Sequence, residues 1–217
     1  IPRKNVRSIN GKPALAHVIR ACAASGIFDR VVVSTDDSCI ADVASDYGAE
    51  VLYPRPANLA DDFTPVQPVV QHVVSQLGIT APTPVACVYA TAVTVETASL
   101  AAAHARLSED SSAHFVISVT EYGAPIQRAL QMSSDGSVEF VDGQWINTRS
   151  QDLPVRWHDA GQFIWGRAET WMRAPSVWDG AVGFPIPRWR AIDIDTEFDW
   201  RLAEFILAHL QNPEAAH

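Results

Sequence analysis

Apolar and polar positions along the chain fall into two periods that alternate. Between Gly11 and Gly26, Leu15, Val18, Ile19 and Cys22 recur at helical spacing, and the closing glycine suits the position just past a helix. Arg30 to Asp36 follows as a continuous β-branched run ending in polar residues, the pattern of a strand buried on both faces of a parallel sheet. Asp37 to Tyr47 predicts a helix with Ile40, Val43 and Ala44 on one face, and Ala49 to Tyr53 a short strand. Pro54 to Thr64 reads as a loop, Pro65 to Leu77 as an amphipathic helix and Pro84 to Ala90 as another apolar strand. Such alternation predicts an α/β fold with a doubly wound, mostly parallel sheet, whose ligands sit outside the carboxyl ends of the strands.

After a helix near Val95 to Leu107 the rhythm changes. His114 to Val119, Arg128 to Met132 and Ser137 to Phe140 are short strands, with Ser134-Asp-Gly136 and Asp142-Gly143 as turns between them. Residues 120–160 therefore read as an antiparallel excursion. Trp157 to Trp165 and Ala191 to Asp195 return as strands, and Glu197 to Leu210 forms a last helix with Phe198, Leu202, Phe205, Ile206 and Leu210 aligned. Gln211 to His217 reads as a disordered tail.

The 217 residues, 47% hydrophobic, suffice for one domain spanning the chain. Sixteen basic against 25 acidic side chains give a net charge of −9, which excludes a general phosphate-backbone footprint and nucleic acid as a partner. Any anionic ligand must be held by a local cluster. The apolar runs fall far short of the roughly 20 residues that cross a bilayer, and the start has no signal-peptide pattern. The expectation is a soluble, cytoplasmic protein. Cys22, Cys39 and Cys87 lack metal or redox spacing and are expected as small buried hydrophobes.

Ala191-Ile-Asp-Ile-Asp195 is the sharpest chemical signal. On a strand Asp193 and Asp195 project from one face while Ile192 and Ile194 enter the core, and paired carboxylates suit a hard cation such as Mg²⁺. Thr196 as N-cap with Asp199 three residues on reads as a variant capping box, which explains Asp199 but not Asp193. Arg3, Lys4 and Asn5 bring two cations and an amide together, either to hold a polyphosphate and read a base or ribose, or as a solvated basic start. Arg55, stiffened between Pro54 and Pro56, is a second anion or base contact, whereas Asp61-Asp62 reads as loop charge or a cap. Arg149, Gln151, His158, Asp159 and Gln162 lie among large aromatics, a mixture suited to an acidic, hydroxylated sugar; Phe163 and Trp165 fit the core instead. No nucleophile elbow or zinc motif accompanies the His-Asp pair, so a hydrolase triad has no support.

Taken in order, Ile1-Pro-Arg-Lys-Asn5, Gly11-Lys-Pro13, Phe28 to Asp37, Tyr47-Gly-Ala-Glu50, Arg55 to Thr64, Tyr89-Ala-Thr-Ala92, Arg149 to Pro154, His158 to Phe163 and Asp193-Ile-Asp-Thr196 resemble the cytidylyltransferases that activate nonulosonic acids, the CMP-sialic acid synthetase-like family. Tyr89 to Ala92 and His158 to Gly166 are more similar to the branch acting on pseudaminic acid than to the sialic acid branch. The resemblance implies a Rossmann-like nucleotidyltransferase that uses Mg²⁺ to transfer CMP from CTP to the anomeric hydroxyl of a nine-carbon keto acid, releasing pyrophosphate. It implies Arg3, Lys4, Asn5 and Arg55 as nucleotide contacts, Asp193 and Asp195 as metal ligands, and Tyr89, Thr91, Arg149, Gln151, His158, Asp159 and Gln162 as the sugar pocket. Lys4 and Asp195 would then be the catalytic pair, the base being Asp195 or a metal-bound water. A homodimer joined through the 120–160 excursion is implied as well. Three features depart from the family pattern: the first strand and basic phosphate loop are missing ahead of Ile1, Val93 replaces a proline, and Pro65 replaces a glycine. They leave two alternatives open, a synthetase for sialic or legionaminic acid and a degenerate nucleotide-binding homologue without catalysis.

Overall fold

A computed structural model describes residues 1–61 and 63–211. In chain order the elements are β1 (Ser8–Ile9), β2 (Lys12–Pro13), α1 (Ala14–Ser25), β3 (Val32–Ser34), α2 (Ser38–Asp46), β4 (Glu50–Leu52) and α3 (Val66–Gln76). They continue with β5 (Pro84–Val88), α4 (Thr97–Glu109), β6 (Phe115–Glu121), β7 (Leu130–Met132), β8 (Val138–Phe140), β9 (Trp157–Arg167), α5 (Ala168–Arg173), β10 (Ala181–Pro185) and α6 (Glu197–Gln211). The tail expected to be disordered lies outside the described residues apart from Gln211, where α6 ends.

The sheet is mixed rather than mostly parallel. Its strand order is β10-β6-β9-β5, with β10 parallel to β6 and β9 antiparallel to both its neighbours. β3 and β4 form a separate parallel pair joined through α2. Helices nevertheless cover both faces, because the buried strands alternate apolar side chains in both directions. From β6 and β9, Val116, Phe163 and Trp165 turn toward Val18 and Cys22 of α1 and Leu100, Ala103 and Leu107 of α4. Phe115, Ile117 and Ile164 turn toward Val70 and Val74 of α3 and Trp171 of α5. Trp165 stacks on Phe28 at 5.1 Å, and Trp171 meets Phe115 edge to face at 5.1 Å while its ring N–H donates to the Val85 carbonyl. Such aromatic pairs contribute about 1 kcal/mol each beyond burial.

Several element boundaries reflect local chemistry. Gly26 takes the left-handed conformation at φ +68° and closes α1, as its position predicts. Asp37 caps α2 by accepting from the amides of Cys39 and Ile40. Asp61 accepts from the Phe63 and Thr64 amides, so it closes the turn ahead of α3 rather than capping the helix; Asp62 lies outside the described residues.

Three further expectations need correction. Ala191 to Asp195 is not a strand: the stretch runs irregularly between the turn at Arg188–Arg190 and α6. α6 buries Trp200, Ala203 and Leu207, not the face containing Phe198, Leu202 and Phe205, because its partners Ile9, Val93 and Ile194 lie on the other side. Cys39 is exposed, since the first turn of α2 faces outward; Cys22 is buried and Cys87 half-buried, and desolvation pushes both thiols up to about 12. α5 and β10 follow β9 without a strong periodic signature in the sequence.

Candidate active site

Topology brings the chemistry to one rim. β5 and β6 end there, and β9, being antiparallel to both, begins there, so His158 and Asp159 stand at the same edge as Tyr89. The crossing is made possible by a bulge. Ile117 pairs with Ile164 and Val119 with Asp159, so Ala160 to Phe163 stand opposite Ser118 alone. Buried Ser118 repairs the broken ladder by accepting from the amides of Gln162 and Phe163, and Gly161 takes the φ of +62° that the bulge requires.

The basic start and the paired aspartates meet across 190 residues of chain. Lys4 Nζ donates to the Ile194 carbonyl at 2.8 Å and to Asp195 Oδ1 at 3.1 Å. Arg7 secures the approach with paired bonds to Glu197, its guanidinium lying 4.4 Å over the Trp200 ring. Ile194 is fully buried, which turns Asp193 and Asp195 outward on either side of it. At the start of α6 the capping box forms as read: Asp199 Oδ2 accepts from the Thr196 amide at 2.7 Å and the Asp195 amide at 3.2 Å. Those bonds hold the Asp199 carboxyl below the usual range.

Electrostatically the rim is short of positive charge. Asp193 is raised above its ordinary value, first by desolvation and then by the Asp195 charge, with Asp159 and Asp199 adding and Lys4 opposing. Tyr89 is raised by burial, with Asp159 and Asp193 contributing to the field around it. A cation placed between Asp193 and Asp195 relieves this repulsion. Among the described residues no three His, Cys, Asp or Glu converge as a closed cage. The two outward carboxylates of Asp193 and Asp195 are a donor set that fits a hard divalent ion, which takes one or two carboxylates from protein and completes its shell from phosphates and water.

Other predicted contacts divide into those gathered at this rim and those held elsewhere. Arg3 has φ +54°, is exposed and lies 3.6 Å from Asp37; Asn5 accepts from the Leu15 amide through its backbone. Arg55 donates to the Ser34 and Leu59 carbonyls beside the end of β3, while its Nε is buried without a partner, a donor suited to a ligand acceptor. Thr91 lies in the loop after β5, where its carbonyl accepts from Val93. His158 packs on Tyr122 at 4.7 Å and Asp159 accepts from the Gly161 amide. Gln162 does not face the rim as expected: it is 2% exposed and its amide nitrogen is committed to Thr94 and the Arg190 carbonyl. Arg149 is bonded to Asp152 at 2.7 Å and Gln151 is exposed, both on the excursion. Thr94, Ser118 and Arg190 are buried or half-buried polar partners that the sequence reading passed over; Thr94, set alone within the apolar run Ala92 to Val95, was the legible signal.

A family profile described as Cytidylyltransferase matches residues 1–158. The chain belongs to the cytidylyltransferase family. Its cytidylyltransferase character extends past the profile: pseudaminic acid cytidylyltransferase of Campylobacter jejuni is 35% identical over 209 residues, covering 95% of this chain and 90% of the relative, a span that takes in Asp193 and Asp195. A CMP-N,N'-diacetyllegionaminic acid synthase of Legionella pneumophila is 47% identical over 66 residues, 30% of this chain and 28% of the relative. Among solved structures, CMP:2-keto-3-deoxy-manno-octonic acid synthetase complexed with CTP aligns with a TM-score of 0.68 at 11% identity, covering 97% of this chain and 93% of that one. At that identity the likeness shows a shared mixed α/β fold. No helix among the described residues is long and apolar enough to cross a membrane.

Proposed function

We propose that this cytidylyltransferase activates a nonulosonic acid, pseudaminic acid being the substrate that the near full-length relative favours. The observation that carries the reading is the meeting of Lys4 with the Asp193–Asp195 pair at the rim where Tyr89 and Asp159 also lie. The anomeric hydroxyl forms a bond to the α-phosphorus of CTP, the bond from that phosphorus to the bridging oxygen breaks, and pyrophosphate leaves with its electron pair. Phosphoryl transfer of this kind requires positioning and charge neutralisation rather than a protein nucleophile.

Asp193 and Asp195 would hold Mg²⁺, which when bound supplies charge neutralisation at the phosphates. Lys4 has one N–H left beyond its two protein bonds, and that donor serves the triphosphate. Arg3 and Asn5 extend the nucleotide side, and the orphan Nε of Arg55 reads an acceptor on the base or ribose. Tyr89, Thr91, His158 and Asp159 form the sugar wall, and Asp195 takes the hydroxyl proton through the carboxylate oxygen that Lys4 does not occupy. The enzyme works in the cytoplasm, where CTP is available, and as a homodimer through 120–160, supported by the exposed Leu130, Met132, Val138 and Val141. Arg149 and Gln151 then act from the partner side of that contact.

The local match to a legionaminic acid synthase favours a second sugar. Pyrophosphate release with CTP and Mg²⁺ against pseudaminic, legionaminic and sialic acids separates the readings. Release with pseudaminic acid alone is expected; release with another sugar keeps the chemistry and changes the substrate. No release with any, from folded protein that binds CTP, overturns catalysis in favour of a nucleotide-binding homologue.

A further inference from the structure

The segment bearing Asp193 and Asp195 has no sheet ladder, so besides the buried Ile194 side chain and the Lys4 bond to its carbonyl, the carboxylates are held in place by what grips the segment at its ends. Downstream the grip is the Thr196–Asp199 capping box. Upstream it is a reciprocal clasp. Thr94 Oγ1 donates to the Arg190 carbonyl at 2.6 Å, and Arg190 Nη1 donates back to the Thr94 carbonyl at 2.9 Å. Gln162 Nε2 donates to the same Arg190 carbonyl at 2.6 Å and to Thr94 Oγ1 at 3.2 Å. The Arg190 guanidinium is further fixed 3.5 Å from Glu96 and 4.6 Å over the Trp189 ring.

These bonds join three pieces of the site. Thr94 follows the loop with Tyr89 and Thr91, Gln162 closes the bulge that begins with Asp159, and Arg190 leads directly into Asp193. Thr94 and Gln162 are each 2% exposed, so a bond that a substitution removes there is not replaced by bulk water, and the weakened clasp leaves the loops freer to move relative to one another. We infer that Arg190, Thr94 and Gln162 are positioning residues that set the Asp193–Asp195 pair against the Tyr89–Asp159 wall and thereby set divalent-cation affinity. This rests on the cation-binding reading above and extends it to groups that touch neither cation nor substrate. Partners one shell removed from a metal typically change its affinity or the activity by about 10–100-fold.

The test uses Mn²⁺ as the probe, its free concentration read by electron paramagnetic resonance with the full chain and CTP. Thr94→Val and Arg190→Gln are expected to weaken Mn²⁺ binding by about tenfold or more, to raise the Mg²⁺ needed for half-maximal turnover in step, and to leave metal-free CTP binding unchanged. Thr94→Ser, which keeps the hydroxyl, is expected to bind Mn²⁺ like the wild type, and Arg190→Lys to recover part of the loss. Unchanged Mn²⁺ affinity with a lowered Tm would make the clasp merely structural and overturn the inference, as would a loss in Thr94→Ser equal to that in Thr94→Val. Wild-type protein that takes up no Mn²⁺ with CTP would instead overturn the cation site itself.

Discussion

Two stretches leave the four-stranded sheet, 122–156 and 186–196, and they are held in opposite ways. The second has no ladder but is bound inward at every step, by Thr94 and Gln162 at Arg190, by Lys4 at Ile194, and by Asp199 at Thr196. The first has a ladder of its own, β7 against β8, yet turns Leu130, Met132 and Val138 outward and pairs Arg149 with its neighbour Asp152. Regular hydrogen bonding therefore does not mark the prepared part of this molecule. The irregular stretch presents carboxylates in a fixed arrangement, whereas the regular hairpin exposes an apolar surface, the one assigned above to the proposed homodimer.

The largest effects are expected where the chain is held fixed. Asp193→Ala should lower Mg²⁺-dependent turnover by roughly a thousandfold, the scale of several kcal/mol of lost charge stabilisation, with no loss of Tm; steady-state kinetics beside a melting curve checks both. Lys4→Met removes the cation that opposes the acidic rim and should reduce kcat by about a hundredfold, seen in pyrophosphate release at saturating substrates. On the excursion, Met132→Asp should weaken self-association by about tenfold or more, the effect of one lost buried side chain, measured by sedimentation. Arg149→Ala should raise the KM for the sugar by about tenfold while sparing that for CTP, as expected of a lost charge-assisted contact.

The smallest effect belongs to the cap. Thr196→Ala should cost about 1 kcal/mol of stability in denaturant unfolding. Because Asp199 is held below its ordinary range in the folded protein, the cap's contribution is present above the unfolded carboxylate range and is lost as pH falls through the depressed value. The variant should therefore differ from the wild type at neutral pH and converge with it in acid.

Much of this was legible in the residues. Helix α1 with its closing glycine, the core roles of Phe163 and Trp165, and the Thr196–Asp199 box all follow from local chemistry, which spacing expresses directly. What sequence could not express were choices made by distant partners. α6 has two apolar faces, and only the position of Ile9, Val93 and Ile194 selects Trp200, Ala203 and Leu207 as the inner one. Ile192 and Ile194 alternate as in a strand, yet the side-chain bonds at Arg190, Ile194 and Thr196 hold that stretch without a strand neighbour. Gln162 reads as a ligand contact because its composition suits one, and burial beneath the bulge turns it to internal support.

The most direct test is a crystal structure of the protein with CTP and Mg²⁺. One cation is expected, bonded at about 2.1 Å to oxygens of both Asp193 and Asp195 and to a phosphate of CTP, with Lys4 Nζ donating to the triphosphate. A cation that contacts neither carboxylate, or a triphosphate lying away from Lys4, would contradict this arrangement.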